Sequence, residues 1–332
     1  MKTKKILKSI MFGLLTVLFI FTLLMLTPRF LSVLNPARPP VGYHLLALDY
    51  LALKVGLEDT IIKHPAVPVE LDEFKNIEYK NINGKSLQLD IYRPKDLYFP
   101  APLLIFIHGG GWKGGQRSDY LSYMIPFAKK GYVTATVSYR LLKDGPYPAC
   151  AEDIIDAIAW FNKNGGAFGY DPERIAVIGG SAGSHLAMLA AYGWKKKSDV
   201  ADSTEKAATG NMIKAIVEIY GPTDLTTEYA RNHSLVTDFM AHTYKEAPEL
   251  FKEASPVTYL DRNDPATLIL HGTSDDLVPV SQAVLLKHRL DSLGVPAVIH
   301  TLPLWPHTMD IVKRVNEYSQ KRMEEFFNEY LK

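Results

Sequence analysis

One serine of the chain stands in a setting that suits a nucleophile. Ser181 is the centre of a Gly-Gly-Ser-Ala-Gly sequence that follows an apolar strand-like segment and precedes a small-residue helical segment. A serine on the sharp turn between a strand and a helix has a strained backbone with positive φ, and its Oγ stands clear of the sheet. Side chains two residues to either side would collide, which explains Gly179 and Gly183. The pattern therefore predicts that Ser181 is a nucleophile.

A second glycine-rich sequence follows another apolar segment. His108 begins the sequence His-Gly-Gly-Gly-Trp. Because successive glycines let backbone N–H groups turn toward an anion, we expect the amides of Gly110 and Gly111, with that of Ala182, to form an oxyanion hole. We interpret His108 as a hydrogen-bonding residue that stabilises the loop. Trp112 is expected either to line a substrate pocket or to pack in the core.

A serine nucleophile needs a base, and the base needs an acid that holds it in the correct tautomer. Where a nucleophile stands on such a turn, the chain order is serine, then acid, then histidine. Asp275 and Asp276 follow the strand-like segment 268–270. Of the later histidines, His288 falls within a predicted helix and His300 within the last predicted strand. His307 follows that strand's carboxyl end and is therefore the predicted base.

The segments around these residues alternate between strand-like and helix-like patterns. This alternation predicts an α/β fold with a doubly wound, mainly parallel sheet and helices on both faces. Two stretches, 193–211 and 223–256, interrupt it and are expected to overhang the carboxyl ends of the strands, where such proteins bind ligands. The predicted strands are 87–92, 103–107, 133–139, 175–178, 216–220, 268–270 and 298–302, and the predicted helices are 118–130, 152–162, a helix from 182, 282–293 and 312–330.

Several sequence pieces, spanning roughly 76 to the C-terminus, together resemble the α/β-hydrolase superfamily. The resemblance is to its bacterial feruloyl-esterase-like branch, close to the hormone-sensitive-lipase-like carboxylesterases. In the family motif H-G-x-x-D-x-x-V-P the first acid is catalytic, which selects Asp275. Pro306 departs from the family, in which a glycine often stands close before the histidine. Beside the two glycine-rich sequences, the matching pieces are 87–94, 137–141, 147–148, Tyr-Gly-Pro-Thr-Asp at 220–224, 255–256, 271–279 and position 307.

The resemblance implies a serine hydrolase that cleaves carboxylic esters through an acyl-enzyme. Ser181 attacks the carbonyl, His307 transfers the proton and Asp275 orients His307. A small-molecule ester is the implied substrate, and no metal or cofactor is implied. One alternative is an amidase, peptidase or formamidase that uses the same triad. Another is a non-catalytic, membrane-tethered binding protein of the same fold. The acyl group, the alcohol and the oligomeric state stay open.

The composition excludes several classes of protein. The chain has 332 residues, 47% of them hydrophobic, which is enough for one large core. A net charge of +1 offers no electrostatic basis for binding nucleic acid. The single cysteine, Cys150, excludes an internal disulfide and a cysteine-rich zinc site. We interpret it as a small buried hydrophobic residue.

The N-terminus has the pattern of a membrane segment. Lysines at positions 2, 4, 5 and 8 precede a charge-free stretch, 9–28, whose length suits a hydrocarbon core of about 30 Å. No small-residue cleavage site follows, which favours an uncleaved signal anchor. The lysines predict a cytoplasmic N-terminus and an extracytoplasmic remainder. We expect a basic tail at 1–8, the anchor at 9–28, a stalk or amphipathic linker at 29–69 and a catalytic domain at 70–332. Residues 41–57 are expected to pack on that domain or lie on the membrane.

Membrane attachment is directly testable. Carbonate-washed membranes should retain the protein, because integral insertion is not electrostatic, and external protease on intact cells should reach the catalytic domain. A chain beginning near Glu70 should be soluble and active, because every predicted catalytic element lies beyond that point. N-terminal sequencing of the native protein is the decisive measurement. A start anywhere past Pro28 would mean that the signal is cleaved and the enzyme secreted.

Overall fold

A twisted sheet forms the centre of the computed structural model, which describes residues 2–35, 37–43, 46–193 and 212–331. Within those residues the sheet has eight strands in the order β1-β2-β4-β3-β5-β6-β7-β8. The pairs β1–β2 and β2–β4 are antiparallel and all the other pairs are parallel, so the predicted mainly parallel sheet is confirmed. The strands are β1 (Leu71–Ile82), β2 (Lys85–Pro94), β3 (Ala101–Ile107), β4 (Val133–Val137), β5 (Tyr170–Gly180), β6 (Ile213–Ile219), β7 (Ala266–Gly272) and β8 (Ala297–Leu302).

Helices cover both faces of this sheet, as predicted. The described helices are α1 (Lys2–Leu34), α2 (Leu46–Lys54), α3 (Leu121–Lys129), α4 (Ala149–Phe168), α5 (Ala182–Ala191), α6 (Glu228–Arg231), α7 (Ser234–Met240), α8 (Pro248–Glu253), α9 (Ser281–Leu293) and α10 (Lys313–Tyr330). Helices α4, α5 and α9 pack on one face, and α3 and α10 on the other. The sequence of β3 is apolar throughout because this strand contributes side chains to the cores on both faces of the sheet. Ile105 belongs to the first core and Phe106 to the second, because successive side chains point to opposite faces.

Parallel pairing brings the functional segments to one edge of the sheet. Ile107 at the end of β3 is paired with Gly179 near the end of β5, and Gly272 at the end of β7 is paired with Leu302 at the end of β8. The glycine-rich loop, Ser181 and the loops that contain Asp275 and His307 all follow these strand ends. The register of the sheet therefore places residues from four distant parts of the chain within reach of one another.

Strand β1 was not predicted from the sequence. Its apolar residues stand two or three positions apart instead of alternating strictly, and it has no buried run such as that of β3. It is an edge strand with a single neighbour, and the pairing with β2 contains two irregularities. Charged side chains and bulges are typical of exposed edges, where they discourage pairing with a second molecule. The strand conformation of β1 therefore depends on its pairing with β2 rather than on its local sequence.

The two stretches that interrupt the alternation have different outcomes. The stretch 223–256 forms α6, α7 and α8 and the turns between them. The other stretch, 193–211, lies outside the described residues except for Gly193.

The N-terminal helix α1 is long and apolar enough to cross a membrane. Its span Lys4–Ser32 reaches a mean hydropathy of 2.5, and almost all of its apolar side chains are exposed. After it, the chain packs against the loop that follows β8. The Gly42 amide donates to the Pro303 carbonyl oxygen at 2.8 Å. Leu53 of α2 also packs against the second core, so these two residues of the stretch 41–57 contact the domain.

A buried carboxylate joins three elements on the α4 side of the sheet. Asp153 of α4 is fully buried and accepts hydrogen bonds from the Arg140 backbone and guanidinium at 2.8–2.9 Å. The Lys80 ammonium of β1 donates to the same carboxylate at 2.5 Å. Arg140 follows β4, just before Leu142, whose amide donates to the Trp112 carbonyl oxygen at 3.0 Å. This ion cluster thereby connects the edge of the sheet to the glycine-rich loop.

Removal of this carboxylate should destabilise the fold. Asp153→Ala would leave Arg140 and Lys80 partly buried without their counter-ion, and we expect the free energy of unfolding to fall by about 3–5 kcal/mol. Glu152→Ala is the matched control, because Glu152 contacts Arg140 from a more exposed position and should cost less than about 1 kcal/mol. Denaturant titration of the detergent-solubilised full chain measures both. Equal losses would show that burial of Asp153 is not the cause.

Candidate active site

Ser181 lies on a sharp turn between β5 and α5. Its backbone has φ 56° and ψ −124°, a conformation that is strained for a residue with a side chain. Glycines make the turn sterically possible. A Cβ on Gly179 would lie 2.3 Å from the Gly183 carbonyl carbon, and one on Gly183 would lie 2.1 Å from the Ile107 carbonyl oxygen. The turn therefore packs directly against the end of β3 and presents the Ser181 hydroxyl above the sheet.

The Ser181 hydroxyl is in hydrogen-bond contact with His307. The distance from Ser181 Oγ to His307 Nε2 is 3.0 Å, and His307 Nδ1 lies 2.6 Å from Asp275 Oδ2. Since an ionised carboxylate can only accept, Nδ1–H donates to Asp275 and leaves Nε2 free to accept the serine proton. The structure thus brings these three residues into one line of hydrogen bonds.

The environment of Asp275 keeps its carboxylate ionised. Its Oδ1 accepts from the amides of Leu277 and Val278 at 2.9 and 2.8 Å. Burial would raise the pKa of Asp275, but hydrogen bonds from His271 and His307 outweigh burial and lower that pKa to about 2. An ionised acceptor at this position fixes the His307 tautomer. The neighbouring Asp276 is exposed, so of the two candidate acids it is Asp275 that faces His307.

The glycine-rich loop lies beside Ser181. Gly110 and Gly111 have φ of 109° and 59°, which glycine adopts without strain. Over the described ranges of the chain, the amides of these two glycines have no hydrogen-bond acceptor. The Ala182 amide belongs to the first turn of α5, where helical N–H groups have no intrahelical partner and the helix dipole favours an anion. Gly110 and Gly111 line the same cavity as Ser181, and Ala182 follows Ser181 directly in the chain.

Trp112 does not line the cavity beside Ser181, so its assignment to the substrate pocket is corrected. The side chain is 3% exposed. Its ring stacks on Phe239 of α7 with centroids 4.1 Å apart and meets the His185 ring edge-on. The positive φ of 57° at Trp112 turns the chain there, and the ring lies in the core beneath the loop. His108 is also buried, and its ring stacks on Tyr139.

A cavity of about 400 Å³ opens at Ser181 and His307. Part of its wall is polar. Asp310 accepts hydrogen bonds from Tyr220 at 2.5 Å and from Tyr123 at 3.3 Å, and burial raises the pKa of Asp310. The Tyr220 ring meets His307 edge-on, with centroids 4.6 Å apart. The apolar lining consists of Ile61, Leu235, Leu277 and Ile311. In the ranges that the structure describes, no cluster of three or more His, Cys, Asp or Glu side chains could hold a metal.

Two buried residues behind Asp275 were not singled out from the sequence. His271 Nε2 lies 2.8 Å from the Val278 carbonyl oxygen and 3.3 Å from Asp275 Oδ2. Glu218 of β6 accepts from Ser184, and burial raises its pKa to about 7. A charged residue within an apolar strand is the one local signal for Glu218. His271 is the first residue of the H-G-x-x-D-x-x-V-P motif at 271–279, in which only the acid was assigned a role from the sequence.

Comparisons with known proteins identify similar esterases. The BD-FAE family model matches residues 89–290. Esterase LipQ of Mycobacterium tuberculosis is 33% identical over 242 residues, which cover 70% of this chain and 56% of that protein. Esterase LipC of the same organism is 34% identical and covers 68% and 57%. The chain therefore spans about half the length of these curated relatives.

Solved structures show the same fold. A truncated form of a carbohydrate esterase from gut microbiota has a TM-score of 0.67 at 25% identity, over 80% of this chain and 98% of that one. The propionate-bound esterase Est2 of Thermogutta terrifontis has a TM-score of 0.66 at 23% identity, over 80% and 96%. At this identity the second similarity concerns the fold alone.

The hydrogen-bond line predicts how fast Ser181 reacts with a fluorophosphonate. Asp275→Asn should slow labelling by on the order of 10⁴, because the amide favours the wrong His307 tautomer. Asp276→Asn, next to it but exposed, should label at nearly the wild-type rate. Mass spectrometry of time-resolved labelling measures both rates. The reverse order of effects would show that Asp276 is the residue that orients His307.

Proposed function

This chain belongs to the BD-FAE family of α/β-hydrolases, and from that premise we propose that it hydrolyses carboxylic esters with Ser181, His307 and Asp275 as a catalytic triad. The observation that carries the proposal is the line of hydrogen bonds from Ser181 through His307 to Asp275, at 3.0 and 2.6 Å. These distances lie within the range in which a base can take a proton from a nucleophile.

The first half of the reaction forms an acyl-enzyme. Ser181 Oγ attacks the ester carbonyl carbon while His307 Nε2 takes the hydroxyl proton. The carbonyl oxygen becomes an oxyanion that the amides of Gly110, Gly111 and Ala182 stabilise. The carbon–oxygen bond to the alcohol then breaks, and His307 gives its proton to the departing alkoxide. The acyl group remains on Ser181.

The second half releases the acid. A water molecule attacks the acyl carbon, and His307 takes its proton as a general base. The same amides hold the second oxyanion, and collapse returns the proton to Ser181 Oγ. Asp275 stays ionised throughout and stabilises the imidazolium that forms twice in each cycle. The low pKa of Asp275, about 2, supports that role.

The names of relatives favour esters over amides. LipQ and LipC are esterases, and LipM of the same organism, 31% identical, is a probable carboxylic ester hydrolase. The same groups can cleave amides, but nothing in the site favours an amide leaving group. A purely binding role leaves the strained turn at Ser181 without a purpose. We therefore take a small-molecule carboxylic ester as the substrate class.

We further propose that α1 is a signal anchor in the cell membrane. Its span and its lysine-rich start support a single-pass arrangement with the N-terminus in the cytoplasm and the domain 70–332 outside. The anchor would occupy 9–28 of the longer helix, with a lipid bilayer as its partner. The remaining turns of α1 would then stand beyond the hydrocarbon core.

Replacement of the nucleophile tests the reaction. Ser181→Ala should lower kcat on a short p-nitrophenyl ester by on the order of 10⁴–10⁶, as for other triads. Ser292→Ala, which changes an exposed serine of α9, is the control and should leave kcat unchanged. Purified full chain in detergent is the sample for both. Activity of Ser181→Ala close to that of the control would contradict the proposal.

A matched substrate pair tests the bond that is cleaved. We expect kcat/KM for a p-nitrophenyl ester to exceed that for the p-nitroanilide of the same acyl group, because the poorer amine leaving group needs more help from the site than this site supplies. Faster hydrolysis of the anilide would assign the chain to the amidases. The Ser181→Ala variant, measured alongside, subtracts spontaneous hydrolysis.

A further inference from the structure

One wall of the active-site cavity lies outside the predicted catalytic domain. Ile61 and Lys63 line the cavity together with Ser181 and His307, although both precede residue 70. The expectation that every catalytic element lies beyond Glu70 therefore does not describe this cavity.

Backbone pairing holds Ile61 in place. The Ile61 amide donates to the Ile311 carbonyl oxygen at 2.9 Å, and the Lys313 amide donates to the Asp59 carbonyl oxygen at 2.8 Å. Thr60 forms an antiparallel bridge with Val312. The stretch 59–61 thus runs as a short strand along the residues that lead from the His307 loop into α10. Such pairing restricts Ile61 to one position at the cavity edge.

The same part of the chain packs against the loop that contains His307. The Trp305 indole nitrogen donates to the Pro40 carbonyl oxygen at 2.9 Å, and the Gly42 amide donates to the Pro303 carbonyl oxygen at 2.8 Å. A Cβ on Gly42 would lie 2.7 Å from the Leu304 carbonyl oxygen. His307 follows Trp305 by two residues, and at most about 7 Å of chain separates them. A displacement of Trp305 would therefore also displace His307.

A buried ion pair connects this packing to α1. Arg314 donates to both carboxylate oxygens of Glu58 at 2.8–2.9 Å, and its guanidinium stacks on the Trp305 ring at 4.7 Å. The same guanidinium donates to Ser32 Oγ in the last turns of α1 and to the Val41 carbonyl oxygen, each at 2.8 Å. Arg314 therefore connects α1, the stretch that follows α1, and Trp305, which lies two residues before His307.

We propose that the connecting segment, residues 37–43 and 46–63, contributes Pro40, Gly42 and Ile61 to the active site. Ile61 bounds the space for the substrate and selects among esters by size, and Pro40 and Gly42 position the loop of His307. The inference rests on the proposed function, because it assigns specificity and positioning to the same ester-hydrolysing site. The anchor and the substrate cavity then share one continuous piece of chain.

Substitution of two adjacent isoleucines tests whether Ile61 limits the space for the substrate. Ile62 has the same side chain as Ile61, but it is 75% exposed and does not line the cavity. We measure kcat/KM for two p-nitrophenyl or alkyl ester series, one that varies the acyl chain and one that varies the alcohol. Ile61→Ala should lower the preference for the longer ester over the shortest about tenfold in one series, because contact with the extra methylenes is lost.

Ile62→Ala is the control for this test. Ile62→Ala should keep the wild-type preference in both series. A roughly tenfold increase in the preference of Ile61→Ala for the longer ester would also support the wall, because it would show that Ile61 limits the length of the substrate. Wild-type preferences in Ile61→Ala, or the same change in both variants, would overturn it.

Two glycines test the positioning. Gly42→Ala should lower kcat about 10- to 100-fold for every ester with little change in KM, because the His307 loop shifts away from Ser181. Gly166→Ala in α4 is the control, since a Cβ there meets nothing within 4 Å. Rates are expressed per site titrated with fluorophosphonate, which removes any loss of folded protein. A kcat for Gly42→Ala equal to that of the control would overturn the positioning role.

The proposed function and the role of the connecting segment are contradicted by different results. If the wild type hydrolyses no ester, or if Ser181→Ala is as active as the wild type, the proposed function is wrong. If hydrolysis depends on Ser181 while Ile61→Ala and Gly42→Ala behave as their controls do, only the role of the connecting segment is wrong.

Discussion

The close packing of the Ser181 turn against the end of β3 is the constraint on which the site depends. The backbone at Ser181 is held at φ 56°, which costs on the order of 1–3 kcal/mol for a residue with a side chain. Contacts that leave no room for a Cβ on Gly179 or Gly183 hold the turn in this conformation. Because β3 and β5 are paired in register, the same contacts place the glycine-rich loop beside the serine hydroxyl. A looser turn would separate the Ser181 hydroxyl from both His307 and the glycine-rich loop.

The pKa values of three buried carboxyl groups around this turn are shifted in different directions because their surroundings differ. Asp275 receives two amide N–H groups and two histidines, which bring its pKa to about 2 despite burial. Among the described residues, Glu218 accepts on Oε1 alone, from the Gly221 amide and the Ser184 hydroxyl, and burial raises its pKa to about 7. Burial also raises the pKa of Asp310, whose partners are tyrosine hydroxyls. A buried acid thus stays charged where several donors converge on it, which is the condition for orienting His307.

Local sequence patterns predicted elements whose conformation depends on near neighbours. The apolar run of β3 and the small residues of α5 suffice to identify a buried strand and a closely packed helix. Strand β1 was missed because its irregular apolar spacing gives no strand pattern, and pairing with β2 holds it in the strand conformation. Trp112 could not be placed from the sequence, because its partner Phe239 is far along the chain.

The sequence by itself determined the sharp turn at Ser181 and the presence of an apolar helix at the N-terminus. Glycine spacing and an uninterrupted apolar stretch are steric and solvation requirements that act within a few residues. Only the tertiary structure decided that the connecting segment reaches the cavity and packs against the loop of His307. Those contacts join Pro40 to Trp305 and Ile61 to Ile311, about 250 residues apart along the chain. No local pattern encodes such pairs, because their energy exists only once the sheet has brought both segments together.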